Sequence, residues 1–271
     1  LKTLYLSVLG IEIRVQTLDP FSFELFAKAF AAFLVPSKPV HLDYGVTPND
    51  DNKSYTITRD DKIVGVAVNA YELLYLFEKD LTLKLQRLRA DLLFLHAGAL
   101  EYHKRAVLLV APSGSGKSTM TWALLQSGLN YLSDELAPID LDTFRVSPYP
   151  HALCLKSDPP EPFAVPSSTL RTEYTLHVPT SYFQRKLQKE PIRLSAILFV
   201  RYKPRSHMPT MRAVSGAEAA ARVYSNCLNL LAHERFGLNA AVQVAGQCDC
   251  YELISGDLEQ TCELVKSVLA T

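Results

Sequence analysis

The stretch Ala111 to Thr119, APSGSGKST, combines residue types that hold oxyanions. It fits the relaxed pattern [AG]-x-x-x-x-G-K-[ST], with Ala at the first position where Gly is commoner. Gly114 and Gly116 allow a tight backbone turn, so that successive N–H groups point inwards. The helix that must follow offers its positive end to the same anion. The residues expected to cradle phosphates are Ser113, Gly114, Ser115, Gly116, Lys117, Ser118 and Thr119. Lys117 would reach the β and γ phosphates of a nucleotide, and the Ser118 hydroxyl would ligate Mg²⁺. Asp134 and Glu135 follow Lys117 by seventeen and eighteen residues. That gap has room for one helix and one short strand. The acids should therefore sit at a strand end within reach of the metal and the terminal phosphate. His96 lies in LFLHAGAL, upstream of the loop. A histidine in such an apolar strand reads first as a core residue, although Ala97 and Gly98 permit close approach.

These groups need elements to carry them. Phe94 to Leu100 and Ala106 to Val110 read as strands joined at His103-Lys104, and Lys117 to about Ser127 as a helix with Gly128 as its cap. Tyr131 to Asp134 is a short strand, and Glu135 to Asp140 continues extended. Upstream, Leu4 to Gln16 reads as two strands around Leu9-Gly10. A helix runs from Asp19-Pro20 to about Leu34, and Asn49 to Asn52 is turn-rich. Ser54 to Arg59 and Lys62 to Val68 form a hairpin, and Ala70 to about Asp91 is a long helix with a leucine-rich core stripe. Eight of the sixteen prolines fall between Pro148 and Pro191. Such density argues for long surface loops with short extended pieces. Ile192 to Arg201 is a buried strand. Ser215 and Glu218 form a capping box for a helix to about Leu231. Val242 to Val244 and Tyr251 to Ile254 read as strands, and Asp257 caps a last helix to Leu269.

Composition limits the partners. The 271 residues carry 28 Lys plus Arg against 28 Asp plus Glu, a net charge of zero. Nothing global draws the chain to nucleic acid or anionic lipid, so an anion site must be local. The longest apolar runs fall short of the ~18 residues that a membrane span needs. Five cysteines without a CxxC pair argue against a disulfide framework or a zinc site and for a reducing cytoplasm. Cys248 and Cys250 read as two small semi-buried residues on one strand face.

The order His96-Ala97, SGSGKS, Gly128, Ser133-Asp134-Glu135 resembles the HPr kinase/phosphorylase family, which carries a P-loop on a phosphoenolpyruvate-carboxykinase-like core. Pro148-Tyr-Pro150 through Leu155-Lys156 and Ile192 to Tyr202 look more like the HPr-kinase-related proteins of bacterial biosynthetic clusters. Some of those phosphorylate a serine of a lasso-peptide precursor. The resemblance covers roughly Phe94 to Lys156 well and the C-terminal part less closely. It does not include residues 1 to 90, nor the glycine-rich segment that follows the acidic pair in the bifunctional enzymes. It therefore does not extend to HPr as acceptor or to phosphorolysis.

The resemblance implies roles. Asp134 would be the base for an attacking hydroxyl, with His96 beside it and Lys117 on the phosphates. Glu135 and Ser118 would hold Mg²⁺. It also implies a homo-oligomer, since the family assembles into rings. The expected fold is α/β: a mixed sheet with flanking helices in an HPr-kinase-like P-loop domain over 91–271. A small α+β module over 1–90 precedes it and is assigned to acceptor recognition. The expected function is ATP-dependent transfer to a hydroxyl, most readily a serine of a peptide or protein. The rivals are a kinase of free serine or a sugar, and a nucleotide-binding module without transfer. Lys156, Arg193 and Arg201, together with Arg205, are candidate cations for the substrate. His151, His177, His207 and His233 lack metal-ligand spacing. Tyr149, Tyr174 and Tyr182 are candidates to line a peptide groove.

Overall fold

The computed structural model describes every residue except 51, 52, 113, 204–207 and 271. The expectations for Ser113, Arg205, His207 and half of the turn at Asn49 to Asn52 thus lie outside the described residues. The chain forms two compact units. One comprises Leu1–Arg89, Pro150–Asp158 and Val165–Gln184; the other comprises Ala90–Tyr149, Pro159–Ala164 and Arg185–Thr271.

In the first unit, strands β1 (Lys2–Val8), β2 (Ile11–Thr17), β3 (Leu42–Pro48), β4 (Tyr55–Arg59) and β5 (Lys62–Ala67) form a sheet in that order. Every pairing is antiparallel except β2 with β3. Strict alternation in β1 and β2 buries Leu4, Leu6, Val8, Ile11, Ile13 and Val15. Helix α1 (Pro20–Ala29) makes the parallel crossover, and Asp19 caps it by accepting from the Ser22 N–H. Helix α2 (Ala70–Leu88) is capped by Asn69 and buries Leu73, Phe77, Leu81 and Leu85. Phe77 packs edge-on against Phe26, Phe30 and Tyr44, with ring centroids 4.8–5.2 Å apart.

The second unit begins with β6 (Leu92–Tyr102), β7 (Arg105–Val110), α3 (Lys117–Gln126), β8 (Asn130–Ser133), β9 (Leu136–Asp140) and β10 (Arg145–Val146). The proline-rich stretch then supplies β11 (Leu153–Leu155), β12 (Leu170–Arg171) and β13 (Leu176–Val178), a small sheet of order β11–β13–β12 in the first unit. The expected loops are therefore partly strand here. The prolines of this stretch stand outside these three strands, where no ladder N–H is needed, and leave the short pairings intact. The Ala152 N–H donates to the Ala29 carbonyl, joining this piece to α1. The unit that begins at Ala90 is thus not one continuous segment.

After it come β14 (Ile192–Tyr202), β15 (Thr210–Ala213), α4 (Gly216–Ser225), α5 (Leu238–Gly246), β16 (Asp249–Ser255) and α6 (Leu258–Leu269). The main sheet runs β10–β9–β6–β7–β14–β16–β15, with β8 paired to β6. Strands β7, β14 and β16 are mutually parallel, and β7 is buried from Ala106 to Val110. One face packs Ala97, Ala99, Leu108 and Val110 against Ala219, Val223, Ala241 and Val244 of α4 and α5. The alternate positions face the other way, towards α3. Gly98 is needed there, because a Cβ would lie 2.6 Å from Thr121 Oγ1. The fold is mixed α/β with helices on both faces of the larger sheet.

Two expected elements differ. Val242 to Val244 lie in α5, not in a strand: Ala240, Ala241, Val244 and Ala245 are buried, at helical spacing. A short valine-bearing run does not declare its period by itself. The helix from Ser215 stops at Ser225, well before Leu231, because the next residues run extended along β6. There the Asn229 side chain accepts from the Phe94 N–H and donates to the Leu92 carbonyl, at 2.9 and 2.8 Å.

Candidate functional site

Strand β7 delivers the chain to the phosphate-type loop at the carboxyl end of the parallel strands, where open α/β sheets hold ligands. Gly114 and Gly116 both take left-handed conformations, with φ of 84° and 85°. The Ser115 N–H closes on the Pro112 carbonyl at 3.1 Å. Gly116 is the N-cap of α3, and among the described residues no side chain caps the helix. The first amides of α3 are left to meet an anion, at the end where the peptide dipoles favour negative charge. Ser118 and Thr119 on that turn are half-buried. Tyr202, at the end of β14, borders the loop: a Cβ on Gly116 would stand 3.5 Å from its side chain.

Lys117 is buried at 6% exposure, and its ammonium donates to the backbone carbonyl of Asp134 at 2.6 Å. Glu135 Oε2 lies 3.5 Å from the same nitrogen, and Glu135 Oε1 lies 3.1 Å from His96 Nδ1. One carboxylate thus stands between the lysine and the imidazole. The register of the sheet builds this trio. His96 pairs with Leu136, and the Ala97 N–H donates to the Glu135 carbonyl at 3.2 Å. The other edge of β6 is held by the Asn226 carbonyl, which accepts from the His96 N–H at 2.9 Å.

The two acids face different surroundings. Asp134 has no exposed surface, and its Oδ1 accepts from the Tyr131 hydroxyl at 2.7 Å. The Glu135 side chain is 53% exposed. Their divergence follows from Ser133, whose hydroxyl accepts from the N–H groups of Glu135 and Leu136 at 3.2 and 3.0 Å. This serine-centred turn breaks the alternation between β8 and β9, so the second acid, not the first, points to solvent beside Lys117. The resemblance implied Asp134 as the base for an attacking hydroxyl; here its side chain is buried and its Oδ1 is bonded to Tyr131. Tyr131 and Ser133 were not singled out for these roles, although a serine directly before paired acids is a turn signal.

The remaining candidates scatter. Arg201 lies at the loop end of β14, 3.6 Å from Glu252. Arg193 is eight residues earlier on the same strand, hence roughly 26 Å away at ~3.3 Å per residue. It therefore sits at the opposite end of the sheet. Lys156 belongs to the first unit, as do Tyr174 and Tyr182. Tyr149 is 1% exposed and lines no groove. His177, 3% exposed, bonds Thr175 Oγ1 through Nε2 at 2.9 Å.

The groups present suit a nucleoside triphosphate and a hard divalent cation. Left-handed glycines and uncapped amides surround the place for phosphates, and the nearby oxygen donors Ser118 and Glu135 are of the kind that Mg²⁺ takes. No family model matches the chain, and no curated protein matches it. Among solved structures, the HPr(Ser) kinase/phosphatase from Coxiella burnetii is similar at 12% identity and a TM-score of 0.34, over 65% of this chain and 93% of that one. The likeness is distant and concerns the fold; it extends neither to an acceptor nor to lasso-peptide clusters. Among the described residues, no helix is long and apolar enough to cross a membrane.

Proposed function

We propose that the protein transfers the terminal phosphoryl group of ATP to an alcohol, with a serine of a peptide or protein as acceptor. The observation that carries this reading is the Glu135 carboxylate set between Lys117 and His96 at the mouth of the loop. A protein that only held nucleotide would have no use for a solvent-facing carboxylate–imidazole pair beside the phosphate lysine. Bound Mg²⁺ would supply neutralisation of phosphate charge, and Ser118 and Glu135 are the residues that would hold it. Lys117 would leave the Asp134 carbonyl for the phosphates. Its present bond keeps the buried ammonium satisfied until then.

His96 is the group to accept the proton of the incoming hydroxyl, with Glu135 orienting its ring through Nδ1. Phosphoryl transfer asks chiefly for positioning and charge neutralisation, so one proton acceptor beside the metal ligands is enough. Asp134 acts one step back, tying Tyr131 to the turn that aims Glu135.

The test compares His96→Gln, Glu135→Gln and Asp134→Asn in Mg²⁺-ATP binding and in phosphate transfer to the peptides encoded beside this gene, read by mass spectrometry. His96→Gln should bind nucleotide as before and transfer about 10²–10⁴-fold more slowly. Glu135→Gln should raise the Mg²⁺ concentration needed for half-maximal transfer. If Asp134→Asn alone abolished transfer while folding and nucleotide binding stayed intact, the proton would go to Asp134 and the assignment to His96 would fall. A wild-type chain that binds ATP and yields no phosphoproduct with peptides, serine or sugars would leave the binding-module reading.

A further inference from the structure

The far end of the larger sheet, away from the phosphate loop, holds a cavity of about 490 Å³. It opens where β7, β14 and β16 begin, beneath the β6–β7 turn and the last turn of α5. Lys104, Arg105 and Arg193 line it together with Ser195, Cys248 and Asp249. All belong to the second unit. Arg105 precedes Ala111 by six residues on an extended strand, so the cavity lies roughly 20 Å from the loop. It is a separate place on the molecule.

Two features set it apart from an ordinary basic surface. First, the side chains of Lys104, Arg105 and Arg193 have no hydrogen-bond or ion-pair partner among the described residues, while other arginines of the same unit do: Arg212 and Arg222 pair with Glu218 and Glu252. Arg145 stands directly opposite Arg193 in the β10–β14 register, which adds a like charge. Such convergence is unfavourable without a counter-charge. Second, β14 carries a bulge here. Leu194 pairs with Ala106 and Ala196 with Val107, so Ser195 is an extra residue against β7. Bulges re-aim side chains and end regular pairing, and they gather at binding sites. The half-buried Ser195 is thereby turned out of the ladder at the cavity wall.

The opposite wall is different. It carries Asp249 and the carbonyl end of α5, where the Cys248 thiol donates to the Val244 carbonyl at 3.4 Å. Lining charge is therefore three positive against one negative. We infer that this cavity is a second anion site, which takes a small molecule bearing at least two negative charges as phosphate or carboxylate groups, with donor groups such as hydroxyls turned towards Asp249. The cations engage the charges as charge-assisted donors, Ser195 adds a neutral one, and Asp249 disfavours ligands that are negative throughout. The inference does not rest on the phosphate loop.

The experiment uses the full chain with Lys117→Ala, so that the loop no longer contributes a lysine to anions. Glycerol 2-phosphate and citrate, each with at least one hydroxyl, are titrated separately by calorimetry, the two arms separating phosphate from carboxylate chemistry. Saturable binding of one of them is expected, weakened about tenfold or more by Arg105→Gln and again by Arg193→Gln, and weakened further by added salt. Both arginines are exposed, so the variants should melt like their parent. Were either to misfold, Lys104→Gln on the exposed turn carries the same expectation. Absence of binding by both probes at about millimolar concentration, or binding indifferent to all three substitutions, overturns the proposal.

Discussion

At the scale of single residues, charge compensation explains more than residue type. Lys117 is almost wholly buried, and its side-chain nitrogen meets one carbonyl and one carboxylate. Lys117→Ala should therefore weaken ATP binding by about 10–100-fold, the worth of a charged hydrogen bond in a dry site, with the melting point little changed. His177 gives a different test. Burial, with the neighbouring His151, lowers its pKa from 6.5 to about 4. The folded chain thus holds it neutral, whereas the unfolded chain takes up a proton once the pH falls below 6.5. Stability should be lost progressively between pH 6.5 and about 4 and level off below. At about pH 5 the loss should be about 2 kcal/mol, read as a lower urea midpoint than at neutral pH; His177→Gln should flatten that slope. The loop and its lysine were legible from the sequence, because glycines at fixed offsets have few other uses. Which of two adjacent acids faces the site was not: that choice depends on the Ser133 turn and the Tyr131 hydroxyl, which come together only once β8 and β9 have paired with β6.

At the scale of elements, the site rests on how closely α3 lies against β6. Thr121 Oγ1 donates to the Lys117 carbonyl at 2.9 Å and lies 2.6 Å from where a Cβ on Gly98 would be. Gly98→Ala should cost about 1–3 kcal/mol by overpacking, measured by chemical denaturation, and Thr121→Ala in the same chain should recover part of it. Helix α3 is buried at seven of its ten positions, so it shows almost no amphipathic signal; the motif in front of it, not its periodicity, made it readable. The opposite holds for α2 and β1–β2, whose clean periods of 3.6 and 2 were sufficient. Strand β3 escaped notice because Gly45 and Pro48 interrupt its pattern. The strands β11 to β13 were obscured by prolines, and α5 by valines.

At the scale of the whole chain, the two units are interleaved in sequence. Leu153, Leu155, Leu176 and Val178 bury their side chains in the unit that starts at Leu1. A cut after Arg89 therefore does not isolate the unit that carries the loop. A fragment of 90–271 should expose those side chains, bind a hydrophobic dye and aggregate where the full chain does not; a dye-free, monodisperse fragment would show that the small sheet folds without α1 and β1–β5. The chain also has a single tryptophan, Trp122. Its indole is buried in α3, one turn and a half beyond Lys117, and donates to the Phe163 carbonyl at 2.7 Å. All intrinsic indole emission thus originates on the helix that begins at the phosphate loop. Nucleotide added to the native chain should change that emission, and Lys117→Ala should move the change to about 10–100-fold higher nucleotide concentration, so that the molecule serves as its own optical gauge without any attached label.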